Sequence, residues 1–334
     1  MNDQAEPSRN VGLELVRVTE AAAIQAGRWI GSGRADRAHG AAAHSMLEVL
    51  NQIEVDGRIV IGEEGRHGSG TPLDTGRSVG TGRGPAVDVV VDPIDGTDLV
   101  VRGHPNAISL VCMAPRGAMH ALVPAVYMEK IIVDADAAHA LVPQCMDAPA
   151  AWTLALVARV KKKAVRDLTV IVLDRVRHFD LIEEIRAAGA RILLREQGDA
   201  EGALLAAMRD TSADILMGVG GVPEGLIAAC AVKAMQGEML ARLAPQDGAE
   251  RAAVEAAALD VNKIYTAEDL VGGNQIFFAA TGITDSALLP AVHYDGRLVR
   301  THSLLLRSET RTRRFVQMEY LLSEAEEAGI GDRS

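Results

Sequence analysis

Aromatic residues, positive charge and long apolar runs are all scarce in this sequence. Phenylalanine, tryptophan and tyrosine together make up 3% of the 334 residues, which is too few for a surface that stacks nucleic-acid bases. The net charge of −11 argues against a general role in binding nucleic acids or anionic membranes. No apolar run reaches the roughly 18 residues that a membrane-spanning helix needs. We therefore expect neither a nucleic acid nor a membrane as partner.

Cysteine is also rare. Cys112, Cys145 and Cys230 are scattered along the chain and form no CxxC motif. This usage fits a reducing compartment, with the thiols serving as small apolar fillers. The amino-terminal residues lack the basic and then apolar pattern of a secretory signal. These features favour a cytoplasmic protein.

The chain is long enough, and apolar enough at 48% of its residues, for two domains with sizeable cores. Its character changes near residues 138–152. Beyond that point strands and helices alternate, and repeated βα units predict a parallel-type sheet with helices on its faces. We therefore expect an α/β protein in two parts, an α+β domain at residues 1–145 and an α/β domain at residues 146–334.

The apolar run of residues 87–91 predicts a buried strand, because β-branched side chains suit a pleated surface and the run is too short for a helix. It ends in Asp92-Pro93. Proline has no backbone N–H and cannot continue a central strand, so we expect the chain to leave the sheet at this point.

Polar groups crowd the corner that follows. Asp95 comes three residues after Asp92, Gly96 lets the backbone approach closely, and Thr97 offers a hydroxyl. Two carboxylates and a hydroxyl on a rigid corner suit a hard divalent cation and a water held beside a phosphate. The plainer alternative is a strand-to-turn cap, where Asp and Gly are common.

Glu63 occupies a similar position, just past the predicted strand of residues 58–61. If this strand neighbours the strand of residues 87–91, Glu63, Asp92 and Asp95 converge at one edge. Three carboxylates that close repel one another unless a cation neutralises them. Oxygen ligands favour Mg²⁺ or Mn²⁺ over Zn²⁺. Glu64 is either a further ligand or a solvated side chain.

The second half carries groups that suit phosphate. Arg175 and Arg177 follow the predicted strand of residues 168–173, where two guanidiniums can clamp a phosphate; a solvated loop is the alternative. Residues 197–199 end the next strand and could bind hydroxyls. The glycine-rich residues 218–225 open a helix whose N–H groups can face an anion, and ligands of open α/β sheets bind at the carboxyl ends of strands.

Taken in order, these motifs resemble those of the class II fructose-1,6-bisphosphatases, within the wider lithium-sensitive, metal-dependent phosphatase superfamily. The resemblance runs from about Leu13 to Gln317. The segments that carry it are residues 17–20, 40–42, 51–52, 56–57, 59–63, 79–84, 92–94, 127–130, 220–225 and 280–284.

The resemblance implies a layered α/β/α/β/α fold and a phosphoric monoester hydrolase that removes one phosphate from a sugar bisphosphate. It implies metal ligands at Glu63, Asp92, Asp95 and Glu224, and catalytic roles for Thr97, Asp92 and Glu63. From the residues alone, Glu224 could equally cap its helix. The implied substrate-binding residues are Asp95, Gly96, Thr97, Tyr127, Arg175, Arg177, Gln197, Gly198, Asp199 and Gly221. Similar proteins are usually oligomeric, which favours a homodimer or homotetramer.

The chain departs from the family pattern near the metal. His39 stands where the family carries an aspartate ligand before Gly-Ala-Ala. The family's Gly-Glu-Gly-Glu becomes Gly-Glu-Glu-Gly at residues 62–65, and Asp95 replaces a glutamate. His39 could bind Mn²⁺, bind phosphate as a cation, or do neither.

These departures leave three functional hypotheses. The first is a Mg²⁺- or Mn²⁺-dependent bisphosphatase acting on fructose 1,6-bisphosphate or on a related, longer sugar bisphosphate. The second is an inositol-type monophosphatase, because residues 92–97 read like the signature of that relative; Arg175 and Arg177 argue against it. The third is a catalytically silent sugar-phosphate-binding paralogue, motivated by His39.

Overall fold

The computed structural model describes residues 11–63 and 71–322. These residues group into two compact units. The first unit holds the residues up to Met113, Phe277–Leu306 and the residues from Arg313 onward; the second holds Ala114–Ile276 and Arg307–Thr312. The C-terminal strands thus return to the first unit. The predicted domains, residues 1–145 and 146–334, stay a prediction.

Helices and strands alternate along much of the described chain. The helices are α1 Val11–Gly27, α2 Ala35–Leu50, α3 Thr97–Arg102, α4 Ala150–Lys161, α5 Phe179–Ala187, α6 Asp199–Ala207, α7 Val222–Met235, α8 Gly248–Ala256 and α9 Ala267–Leu270. The strands are β1 Asp56–Ile61, β2 Ser78–Val79, β3 Ala86–Asp95, β4 Ile108–Pro115, β5 Tyr127–Val133, β6 Thr169–Leu173, β7 Arg191–Arg195, β8 Ile215–Gly221, β9 Glu238–Leu243, β10 Tyr265–Thr266, β11 Phe277–Gly282, β12 His293–Asp295, β13 Leu298–Arg307 and β14 Thr312–Leu321. This content confirms the α/β fold class; the predicted five-layer arrangement stays a prediction.

The first unit is built on one sheet, in which the described strands follow the order β12-β13-β11-β4-β3-β1-β2, with β14 pairing β13. Helices α1 and α2 pack against each other, and α1 also contacts β11. Their buried alanines, valines and leucines join the inward side chains of β1 and β3 in a single apolar cluster. Strands β1 and β3 are parallel neighbours, as the site prediction required.

The expectation that the chain leaves the sheet at Asp92-Pro93 is wrong. Strand β3 continues through Pro93 and ends only at Asp95, so the corner lies at Gly96. The ladder that joins β3 to β1 ends earlier, at the pair Ile61–Val90. The missing N–H of Pro93 therefore breaks no bond of that ladder, and the fixed φ of proline is compatible with an extended chain.

The second unit holds a mixed sheet with the strand order β10-β9-β5-β8-β6-β7 in its described part. Strands β7, β6 and β8 are parallel, as the βα repeats predict. Strand β5 is antiparallel to both β8 and β9, so the sheet is only partly of the parallel type. The carboxyl ends of β6, β7 and β8 meet at one edge, and the antiparallel β5 begins there with Tyr127.

All three cysteines are buried, in agreement with a role as small apolar fillers. Within residues 11–63 and 71–322, no helix combines the length and the apolar character that crossing a membrane requires.

Candidate active site

The predicted metal ligands of the first unit leave neighbouring strands at matched positions. Ile61 of β1 pairs with Val90 of β3; Glu63 lies two residues beyond Ile61, and Asp92 lies two residues beyond Val90. Both carboxylates are at least 98% buried. Burial at the ends of parallel neighbours puts two acids at one edge of the sheet, as the sequence predicts.

His39 joins this edge from helix α2. Its imidazole Nε2 lies 3.7 Å from Oε2 of Glu63, and both side chains are almost fully buried. The pair is an ion pair only when the imidazole is protonated. His39 therefore stands beside one of the predicted metal ligands, in keeping with its place in the sequence where the resemblance implies an aspartate ligand.

The corner after β3 holds the remaining predicted groups. The Asp92 carboxylate accepts a hydrogen bond from the Ile94 N–H at 3.1 Å, and the Thr97 hydroxyl donates to the Ile94 carbonyl oxygen at 3.3 Å. Gly96 has a φ of +94°, which favours glycine, and begins α3. Asp95 is buried. The half-buried Thr97 hydroxyl is thereby fixed on the same corner as two carboxylates.

This donor set fits a divalent cation in its chemistry. Buried carboxylates are hard oxygen ligands, and like charges so placed are stabilised by a cation. Within the described residues, however, no three His, Cys, Asp or Glu side chains form a group ready to hold a metal ion. The structure pairs His39 with Glu63, and the rest of the predicted ligand set stays a prediction. Glu64 lies outside the described residues.

The predicted phosphate-binding arginines lie in the second unit, just past the carboxyl end of β6. Arg177 donates to the Val219 carbonyl oxygen from Nη2 at 2.9 Å and from Nε at 3.3 Å. Its guanidinium carbon also lies 5.3 Å from the centre of the Tyr127 ring. Among residues 11–63 and 71–322, the partner of the Arg175 guanidinium is the Asp174 carbonyl oxygen, at 3.5 Å.

Electrostatics at Arg177 favour an anionic ligand. Partial burial lowers the pKa of its guanidinium, and the like charge of Arg175 adds to the lowering. The group still stays charged at neutral pH. Within the part of the chain that the structure describes, neither arginine forms an ion pair with an acidic side chain. Both cations thus keep N–H donors for a phosphate.

Tyr127 and Gly221 are cross-strand neighbours, as β5 pairs with β8. The Glu224 carboxylate, in the first turn of α7, folds back over Gly221, where a Cβ would collide with it. This brings three predicted site residues together at the carboxyl edge of the sheet. From its contacts alone, Glu224 is as compatible with a role at the helix end as with a ligand role.

Asp199 opens helix α6, after the left-handed Gly198 and the half-buried Gln197. Its carboxylate forms an ion pair with Lys130, which is 99% buried on β5. A side chain at Gly220 would collide with this pair. Lys130 contacts the predicted site residue Asp199, and His178 follows Arg177 in the chain and accepts from the Val219 N–H, yet the sequence interpretation gave neither residue a role. The signal for Lys130 was a charged residue directly before the apolar residues 131–133 of a strand.

Comparison with known proteins decides the family. The family model described as bacterial fructose-1,6-bisphosphatase, glpX-encoded, matches residues 9–320. The chain belongs to this family. The resemblance inferred from the motifs is therefore confirmed over almost the whole chain.

Curated members of the family are close in length as well as sequence. The chain is 35% identical over 327 residues to fructose-1,6-bisphosphatase 1 class 2 of Escherichia coli strain K12, an alignment that covers 94% of this chain and 96% of that protein. The same values hold for the fructose-1,6-bisphosphatases class 2 of E. coli O6:H1 and of Shigella flexneri. Both units of this chain thus have counterparts in these class 2 enzymes.

Proposed function

We propose that this protein is a divalent-metal-dependent phosphatase that hydrolyses one phosphate of a sugar bisphosphate, with fructose 1,6-bisphosphate as the default substrate. The observation that carries the proposal is membership of the fructose-1,6-bisphosphatase family over both units. The metal-binding motifs depart from the family pattern. A related, longer sugar bisphosphate is therefore the alternative substrate for the same reaction.

The first unit supplies the reaction centre in this proposal. Glu63, Asp92 and Asp95 would hold Mg²⁺ or Mn²⁺, with His39 of the same unit as a further ligand. Glu224, which belongs to the second unit, is the remaining ligand that the resemblance implies. When bound, such a metal polarises the scissile phosphate and lowers the pKa of a water. Thr97, whose hydroxyl is fixed 3.3 Å from the Ile94 carbonyl oxygen, would orient the attacking water. A carboxylate of Glu63 or Asp92 would accept its proton.

The second unit supplies the residues that bind the retained phosphate of the substrate in this proposal. Arg175 and Arg177 would hold the retained phosphate, and Tyr127 would close one side of that position through its contact with Arg177. The hydroxyls of the sugar would contact the remaining predicted residues, namely Gln197, Gly198, Asp199 and Gly221, together with residues 95–97. Binding energy from the retained phosphate would serve catalysis at the other end of the molecule.

The test is phosphate release across a panel of sugar bisphosphates and monophosphates with Mg²⁺ and with Mn²⁺. We expect turnover of at least one bisphosphate, and a drop of at least about 100-fold in kcat for Asp92→Asn, because the amide no longer offers a charged ligand. Asp98→Asn is the matched control, since Asp98 is exposed in the first turn of α3. No turnover of any bisphosphate would remove the proposal.

One observation supports a second candidate, a silent sugar-phosphate-binding paralogue. His39 lies beside Glu63, at the place where the family pattern has an acidic ligand. If this candidate is right, calorimetry detects sugar-phosphate binding without hydrolysis, and His39→Asp restores hydrolysis. If the wild type turns over a bisphosphate and His39→Asp only shifts its preference between Mg²⁺ and Mn²⁺, the enzyme proposal stands.

We further propose a cytoplasmic homodimer or homotetramer. The scattered cysteines fit a reducing compartment, and similar proteins are usually oligomeric. Light scattering on the purified chain measures the oligomer, and fractionation of cells that express it locates the protein.

A further inference from the structure

His178 is buried at the carboxyl edge of the second sheet, although the proposed reaction gives it no role. It ends the short turn Val176–His178 and is 98% buried. Its Nδ1 lies 2.7 Å from the Leu173 carbonyl oxygen of β6, and its Nε2 lies 2.8 Å from the Val219 N–H of β8. The ring therefore links the ends of two parallel strands.

These two partners fix the protonation state of the ring. A backbone N–H can only donate and a carbonyl oxygen can only accept, so Nε2 must carry the lone pair and Nδ1 the proton. That is one tautomer of the neutral imidazole. A second proton, on Nε2, would point at the Val219 N–H and replace a hydrogen bond by a repulsion.

The strand is shaped to admit the ring. Gly218 has a φ of +131°, which L side chains rarely adopt, and a Cβ there would lie 2.9 Å from Nε2 of His178. A residue with a side chain would push the imidazole away from Val219. The close approach of ring and strand is thus built into β8.

Val219 connects this ring to the predicted phosphate site. Its N–H is held by His178, and its carbonyl oxygen receives both hydrogen bonds from the Arg177 guanidinium. Arg177 and His178, which contact Val219 in these two ways, are adjacent in the chain. Any movement of Val219 away from His178 therefore also moves the carbonyl oxygen that holds the Arg177 guanidinium.

We propose that His178 is a positioning residue for Arg177 and that it works only as the neutral imidazole, so that acid weakens binding of the retained phosphate. This inference rests on the proposed function of Arg177. Burial lowers the pKa of His178, and the charges that face it are Arg177 from its own turn, Lys130 from β5 and Asp199 from α6. The ring is therefore neutral at neutral pH and is lost as an acceptor only on the acid side.

The experiment measures kcat and KM of the full chain between pH 4.5 and 8 on the best bisphosphate of the panel. Wild-type KM should rise relative to that of His178→Gln as the pH falls below the ordinary histidine value of 6.5. The difference should grow towards about tenfold as the ring becomes charged, because glutamine offers an acceptor and a donor but does not titrate. The kcat of both should stay within about twofold of each other. Protonation of the substrate affects both proteins equally and cancels in the ratio.

Three comparisons make the result specific. His139→Gln removes an exposed histidine of the same unit and should keep the wild-type profile. His178→Phe, which fills the space without an acceptor, should have a KM about tenfold higher at every pH. Thermal melting shows which variants are folded, and His178→Asn replaces His178→Gln if the latter is not.

Calorimetry separates failure of this inference from failure of the proposed function. If the wild type shows no turnover, binding of fructose 1,6-bisphosphate at pH 7.5 and 4.5, with a chelator present, still compares wild type with His178→Gln. An equal acid effect on both proteins, in KM or in binding, overturns the inference. When that effect is measured in KM, the turnover itself leaves the enzyme proposal intact. Absence of any binding at both pH values overturns the inference as well.

Discussion

Two pairs of basic residues with the same spacing lie at opposite edges of the sheet in the second unit. Arg175 and Arg177 follow the carboxyl end of β6, and Lys161 and Lys163 precede its amino end. Lys161 donates to Asp134 at 2.8 Å and to Asp214 at 3.0 Å, and Lys163 donates to Asp214 at 2.6 Å. The arginines have a carbonyl oxygen and an aromatic ring instead.

The partners of these cations, rather than the cations themselves, distinguish a binding site from a structural cluster. The lysine edge surrounds a 530 Å³ cavity, lined by the same lysines and by acids that compensate them. An anion arriving there would have to displace carboxylates. At the arginine edge a phosphate adds the missing negative charge. The comparison predicts that substitutions at the arginine edge affect catalysis, whereas substitutions at the lysine edge affect stability.

The largest expected effect is at the arginine edge. Arg177→Ala should lower kcat/KM for the best bisphosphate by about 100-fold, equivalent to about 3 kcal/mol, because a charged hydrogen-bond donor to phosphate is lost. The melting temperature should hardly change, since the side chain is exposed. Steady-state kinetics and calorimetric melting measure the two quantities.

Arg186→Ala is the matched control for that change, because Arg186 is exposed on α5 and forms an ion pair with Glu183, another exposed residue of the same helix. It should leave kcat/KM unaffected. The effect of Arg177→Ala on a monophosphate should also be much smaller. If Arg177→Ala leaves the activity on the best substrate unchanged, the monophosphatase hypothesis gains and the contrast between the two edges is lost.

The lysine edge should respond in the opposite way. Lys161→Met should lower the free energy of unfolding by about 3 kcal/mol, because Asp134 and Asp214 would remain buried without their shared cation. Lys163→Met should cost less than about 1 kcal/mol, because its side chain is 44% exposed. Urea titration measures both. A fall in kcat/KM at equal folded fraction would contradict the structural role of this edge.

Strand ends that carry polar residues explain why the arginine edge could be predicted. Arg175 lies two residues beyond Leu173, the last residue of a strand rich in β-branched side chains, so its position relative to the sheet is local information. The ion pair of Lys161 with Asp214 joins residues 53 positions apart, and the spacing of the lysines alone resembles that of the arginines. Only the register of β6 beside β8 brings these partners together.

The same distinction between local and long-range information explains which features of the first unit could be predicted. The expectation that Glu63 and Asp92 follow two strands came from apolar runs that end in acids, and β1 and β3 are indeed neighbours. The sequence analysis placed the end of β3 too early, because it treated Pro93 as the end of the strand. The N–H that Pro93 lacks has no acceptor in the β1 ladder, so the strand can continue through the proline. The contact of His39 with Glu63 depends on how α2 packs, which no local pattern encodes.

Acid should act on the lysine edge through Asp214. Burial favours the neutral carboxyl group, but hydrogen bonds from Lys163, the Thr169 N–H and Lys161 outweigh it, so the pKa lies below the ordinary value of 3.8. Such a group stabilises the fold above its unfolded pKa, and this stability is lost as the pH falls through the folded pKa. Asp214→Asn should lower stability by about 2 kcal/mol at pH 7.

The slope of unfolding free energy against pH tests the assignment. Wild type should lose stability more steeply than Asp214→Asn as the pH falls below about 4. Asp210→Asn, a neighbouring exposed acid, should keep the wild-type slope. Equal slopes for wild type and Asp214→Asn would place the acid-sensitive group elsewhere.

A buried carboxylate of the first unit sharpens the comparison, because its side-chain hydrogen-bond partners in the described part of the chain are all hydroxyl groups. Glu20 accepts from Thr301 at 3.0 Å and from Ser303 at 3.5 Å, and it also contacts the Tyr320 hydroxyl. Among the described residues no Lys, Arg or His forms an ion pair with it. Burial therefore prevails over these hydrogen bonds and raises the pKa of Glu20 above its ordinary value of 4.5, whereas the lysines lower that of Asp214.

The raised pKa reverses the sign of the pH dependence. The folded state holds the proton of Glu20 more tightly than the unfolded state, so the stability is fully present below the unfolded pKa and is lost as the pH rises through the folded pKa. Glu20→Gln should abolish this slope and change stability by about 1 kcal/mol. Glu14→Gln, on the exposed side of the same helix, should retain the wild-type slope. If the slope of unfolding free energy against pH survives in Glu20→Gln, the hydroxyl groups stabilise the charged Glu20 carboxylate as well as Lys161 and Lys163 stabilise that of Asp214. The chemistry of the partners would then not explain the difference between Glu20 and Asp214.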